Sequence, residues 1–279
     1  MKISKTSQWL SVLLVFLVLI ASSAGLFLKG TYARETTSYA LQSVGQDIEN
    51  IVAAATLLLA VYFASKGSLK AFLVWMGVLL ALIYSYVIYA FAVHFNSLFL
   101  VYVAILGLSF YTLVGSLMHL RLEDLQPCFV ANTKARLVSV FLLVIAILFY
   151  LQWLSEDIPA LLAGKVPQSV VENGLLTNPV HVLDMGLLLP AMVITAMLLW
   201  RRKLLGYILA IPLLVFSVLT GIGILAIFVA MSLKGIPTSL FVEFLFAVII
   251  AVSLVICILF AREIKEPGRE RILLLEQAD

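Results

Sequence analysis

Asn178-Pro179-Val180-His181-Val182-Leu183-Asp184 sets an imidazole and a carboxylate three residues apart at the start of a long apolar run. On a helix, that spacing places both groups on one face. Asn178 can cap such a helix and Pro179 suits its first position, which leaves Asp184 more than a turn inside. A carboxylate at that depth needs a partner or a proton, and His181 is expected to supply one. A helix N-terminus disfavours imidazolium, so the neutral ring is available to accept a proton or, with Asp184, to bind a divalent metal. The pattern is short and matches no recognised metal signature, so the bland alternative is a polar pair seated at a membrane surface.

Four further ionisable residues stand near the ends of apolar runs: Asp47, Glu49, His94 and Glu243. Together with His181 and Asp184 they form the candidate ligand-binding set, with Tyr86 and Tyr89 as walls and Tyr84 and Tyr102 beside them. Asp47, Glu49 and Glu243 also admit a plainer account, since carboxylates at helix N-termini are stabilised by about 0.3 to 1 kcal/mol without any ligand. His94, in a short turn, can equally be an interfacial polar residue. No serine-nucleophile motif, HExxH, Walker loop, CxxC or glycine-rich dinucleotide fingerprint is present, so no catalytic residue is assigned.

The elements that carry these groups follow from composition. Of 279 residues, 63% are hydrophobic and 12% charged, far more apolar surface than one soluble core can hide. The expected fold is all-α, a polytopic integral membrane helix bundle forming a single domain. A span needs about 20 apolar residues. Eight stretches qualify, near 8–28, 47–65, 69–93, 97–118, 136–154, 180–200, 204–233 and 239–261. The first also resembles a signal peptide, with Lys2 and Lys5 before an apolar core and Ala21-Ser22-Ser23-Ala24 after it. Cleavage there would leave seven spans, and retention is favoured because the apolar run resumes through Leu28.

Alternating the spans puts fourteen of the 18 lysines and arginines on one side, leaving Lys29, Arg34, Lys165 and Lys234 on the other. By the positive-inside rule both termini are expected in the cytoplasm and the protein in the plasma (inner) membrane. The net charge of +3 records this retention of basic residues and implies no nucleic acid. Cys128 is expected to be a loop thiol and Cys257 a small hydrophobe, without a disulfide. The loop 155–178 is expected to form one or two short amphipathic helices. Span seven, containing Pro212, Gly221 and Gly223, is expected to kink, tilt or partly break, although glycine also serves close packing. The tail 262–279 reads as a cytoplasmic helical end, broken from span eight at Pro267-Gly268.

With this topology all six candidate ionisable residues fall on the extracytoplasmic side. The leading expectation is a pocket open to that side that binds, and in a transport role translocates, a small solute, lipid headgroup or ion. The alternatives are a membrane-embedded enzyme acting on a lipid-linked substrate at the outer leaflet, metal-dependent in one version, and a non-catalytic assembly partner. Membrane lipid is the expected partner in every case.

Overall fold

A computed structural model describes residues 3–129 and 133–266, apart from the side chain of Asp124. Lys2 and the proposed break at Pro267-Gly268, with the tail from there on, lie outside the described residues. The structure is all-helical, and eight helices are long and apolar enough to cross a membrane. They are α1 (Lys5–Phe27), α2 (Thr37–Ser65), α3 (Leu69–Phe91), α4 (Phe99–Met118), α6 (Ala135–Leu162), a sixth span built from α8 (Pro179–Leu183), a π turn (Asp184–Leu188) and α9 (Leu189–Trp200), then α10 (Leu204–Leu233) and α11 (Leu240–Arg262). Two short helices, α5 (Leu122–Phe129) and α7 (Gln168–Glu172), sit in connectors. Hydroxyl caps start the first three spans: Ser4, Thr36 and Ser68 accept the backbone N–H of Ser7, Tyr39 and Ala71.

The centre of the bundle is α2, α3 and α10, each packed on the other two. Helices α1 and α4 pair and cover α2 and α3, α9 lies on α10, and α6 lies on α9. Helix α11 is held by α10 and α6, and its other flank exposes Phe241, Phe244, Leu254 and Val255. Apolar side chains in such a row require lipid as their solvent. Glycine sets the closest approach: a Cβ on Gly45 of α2 would overlap the backbone of Ile227 in α10, and one on Gly223 would overlap Glu49.

Hydrogen bonds among span ends and connectors identify the two ends. Ser7 meets Ser116, Ser68 meets Glu266 and Thr133 meets Glu263 at the end that carries Lys66, Arg136 and Arg201 to Lys203. Arg34 donates to the Phe95 carbonyl and Gln42 to Asn173 at the other. We call these the basic and the acidic end.

Several expectations change. Helix α10 passes through Pro212, Gly221 and Gly223 without a break, and Gly221 and Gly223 serve close packing against Ile250 and Glu49. The irregular span is the sixth. Pro190 has no N–H and its ring crowds the carbonyl four residues back, so the ladder slips and Leu189 N–H bonds the Asp184 carbonyl in a π turn. In that register the Met185 carbonyl would face the missing N–H of Pro190, and Tyr150 Oη donates to it at 3.1 Å instead. Helix α6 continues to Leu162, so α7 is the only separate helix in the connector that follows. Cys128 is buried within α5 and is no loop thiol; Cys257 is buried in α11, and neither is in a disulfide.

Candidate functional site

Helix α2 starts ten residues before Asp47, because Thr36 caps it well ahead of the apolar run. Helix-dipole stabilisation fades within the first turn, so it does not account for Asp47 or Glu49. Both are buried, at 1% and 2% exposure. Asp47 accepts from Tyr32 Oη at 2.6 Å and from Tyr89 Oη at 2.9 Å. Gly25 of α1 crosses directly over the carboxylate, where any Cβ would overlap Oδ2. Tyr86, Tyr89 and Tyr102 pack ring to ring beside it, with centroids 5.0–6.0 Å apart. Burial, and next the Asp47 charge, hold the Tyr32 hydroxyl far above the ordinary tyrosine range, so it remains a donor. Ser22 stands close to both Asp47 and Tyr86. The Ser22, Tyr86 and Tyr102 hydroxyls are nevertheless buried without a hydrogen bond, as are both polar atoms of the Asn50 side chain.

Glu49 points toward α10. Gln46 Nε2 donates to it at 2.7 Å and to Ser85 Oγ at 2.9 Å. Tyr84, one residue before Ser85 on α3, turns instead to Asp184.

Asp184, 5% exposed, accepts from Tyr84 Oη at 2.9 Å and from Trp153 Nε1 at 2.8 Å. No side-chain hydrogen bond joins the Asp184 carboxylate to the His181 ring, which corrects the expected pairing. The His181 ring lies against Trp153 at 4.4 Å between centroids, and its Nδ1 sits 3.0 Å from Asp157 Oδ1. Its Nε2 is turned toward Glu156 Oε2 at 4.0 Å. Trp153 thus joins the two halves of the motif, one by its N–H and the other by its face. The extension of α6 makes this possible: Trp153 and Asp157 are four residues apart and share a helix face.

Asp47, Glu49, Asp184 and His181 thus lie buried in a polar band at the acidic end, made of separate hydrogen-bond networks on α2, α3, α6 and α8, with Tyr86 and Tyr89 packed beside Asp47. Two candidates stand apart. His94 clasps Glu35 through both its Nδ1 and its backbone N–H, tying the α1–α2 loop to the α3–α4 turn. Glu243, in the first turn of its own helix, accepts from Thr238 Oγ1 just ahead of it. Trp153, Asp157, Gln46, Ser85 and Tyr32 belong to the band and were not among the sequence candidates. The i, i+4 spacing of Trp153 and Asp157 was the one available signal.

Among the described residues no three His, Cys, Asp or Glu side chains are grouped to hold a metal ion, and His181 and Asp184 have separate partners. None of Asp47, Glu49 and Asp184 has a lysine or arginine within ion-pair distance among the described residues. Comparison with known protein families, with curated proteins and with solved structures finds no match to this chain.

The fold and the band together define a multi-pass helical membrane protein with a buried, carboxylate-rich cluster near one end.

Proposed function

We propose that the acidic end binds a small cation or a positively charged solute and that the surrounding spans carry it across the plasma (inner) membrane. The carrying observation is that, among the described residues, three buried carboxylates have no lysine or arginine partner. An ionised carboxylate out of water is costly by several kcal/mol unless compensated, so each holds a proton or faces a bound positive charge. The unpartnered hydroxyls around Asp47 supply neutral oxygen donors of the kind that complete the coordination of a hard cation. The excess of lysine and arginine at the basic end supports an orientation with that end cytoplasmic and the cluster facing outward.

Purified protein melted in a series of chloride salts at constant ionic strength should show a Tm raised by one cation over the others, and Asp47→Asn should abolish the difference. In proteoliposomes the flux of that cation, or of protons in exchange for it, should fall at least tenfold in Asp184→Asn, a loss of about 1.4 kcal/mol in binding. Identical melting in every salt together with unchanged flux in Asp184→Asn would sink the reading.

A second reading rests on His181 alone. Asp157 fixes the ring at Nδ1, as an orienting carboxylate does for a general base, and leaves Nε2 for proton transfer. This is the enzyme alternative, acting on a lipid-linked substrate at the outer leaflet. The 3% exposure of His181 weighs against it, since a substrate must reach Nε2.

A further inference from the structure

At the basic end, α5, the start of α6, and the α9–α10 turn enclose a cavity of about 510 Å³. Two guanidinium groups line it, Arg136 from the first turn of α6 and Arg202 from the turn, beside Gln126, Trp200 and Tyr207. Among the described residues neither arginine forms an ion pair. The Glu263 carboxylate is occupied by the Thr133 hydroxyl and the backbone N–H groups of Thr133 and Lys134. Arg136 lies over the Trp200 ring, its Cζ 5.9 Å from the centroid.

Beside Trp200 a largely apolar groove of about 220 Å³ runs between α6 and α9, with Arg201 also in its lining. Ser139 and Ala196 form its closed floor, Ser139 Oγ donating to the Ala196 carbonyl at 2.7 Å, and Leu143 and Met197 form its sides.

The backbone at Arg202 is the second observation. Arg202 N–H bonds the Leu199 carbonyl and Lys203 N–H the Leu198 carbonyl, the Schellman closure of α9. Its left-handed position, usually glycine, is held by Arg202 at φ 54°, the one non-glycine residue with positive φ among those described. A long cationic side chain kept where the backbone favours glycine points to work for the side chain.

We propose that cavity and groove together bind one anionic phospholipid of the leaflet at the basic end, its phosphate taken by Arg136 and Arg202 and one acyl chain laid past Trp200 in the α6–α9 groove. Charge, depth and shape agree: tryptophan and arginine at a span boundary stand at headgroup level, and the groove leads from there toward the hydrocarbon. A free phosphate ion would use the same guanidinium groups and leave the groove empty.

Delipidated protein in neutral detergent, titrated with phosphatidylglycerol, phosphatidylcholine or inorganic phosphate, separates the sources, with adducts counted by native mass spectrometry and Tm measured in parallel. Phosphatidylglycerol should be retained and raise Tm, while phosphatidylcholine and inorganic phosphate should do neither. Arg136→Gln and Arg202→Gly should each weaken retention about tenfold, the loss of one charge-assisted contact. Without lipid, Arg202→Gly should melt at or above wild type, which separates lost binding from lost fold. Equal retention of both phospholipids, wild-type retention in both variants, or an inorganic phosphate shift matching that of phosphatidylglycerol would overturn the assignment.

Discussion

The Asp184 carboxylate takes both of its hydrogen bonds from aromatic side chains, so each can be removed with little loss of packing. Trp153→Phe keeps a ring against His181 and strips one donor from the carboxylate, and Tyr84→Phe strips the other. Leaving a buried polar atom unpaired costs about 1 to 3 kcal/mol, which sets the expected loss for each variant by denaturation in detergent. Because the two donors serve one carboxylate, the double variant should depart from additivity by at least about 0.5 kcal/mol. Additive losses would mean that Asp184 does not couple α3 to α6. At the basic end the energetics run the other way. A left-handed non-glycine residue costs about 1 to 2 kcal/mol, so Arg202 lowers stability where glycine would not.

Among the elements, the α2–α10 pair sets the geometry of the band. Gly45 lets α10 approach until its backbone at Ile227 fills the space a side chain would need, while Gly223 leaves room for Glu49. The two glycines differ in what an added methyl meets. At Gly45 it meets fixed backbone, and at Gly223 it meets the flexible end of a side chain. Gly45→Ala should therefore cost about 1 to 3 kcal/mol by overpacking and separate the two helices. Gly107, on α4, has open space at its Cβ, and Gly107→Ala should be neutral or slightly stabilising in the same melting experiment. Equal effects at the two sites would mean that α2 and α10 do not approach this closely. The π turn is the other determining element. It offsets the helical register between α8 and α9, and so turns His181 and Asp184 together relative to α9.

On the scale of the whole molecule, the asymmetry between the two ends is the feature with cellular consequences. Both native cysteines are buried, so introduced cysteines report sidedness with low background. In intact cells a membrane-impermeant maleimide should label Lys165→Cys and Lys234→Cys and should label Lys66→Cys only after the membrane is opened. The reverse pattern would place the carboxylate cluster toward the cytoplasm and refute uptake from outside.

Hydropathy and charge in the chain itself determined the eight spans and their alternation, because both are local sums over about 20 residues that lipid and the charge rule read directly. The depth of Asp47 and Glu49 was less legible, since Thr36 starts α2 in a polar stretch where hydropathy marks no helix. The same holds for Asp157, carried on α6 beyond the end of its apolar run. Only the tertiary structure decided the partners. His181 and Asp184 share a face in sequence, but Trp153, Tyr84 and Asp157 come from other helices. Which of them meets which depends on helix rotation and on the slip at Pro190. One residue of slip turns a helix by about 100°, and no count of residues along the chain records that angle.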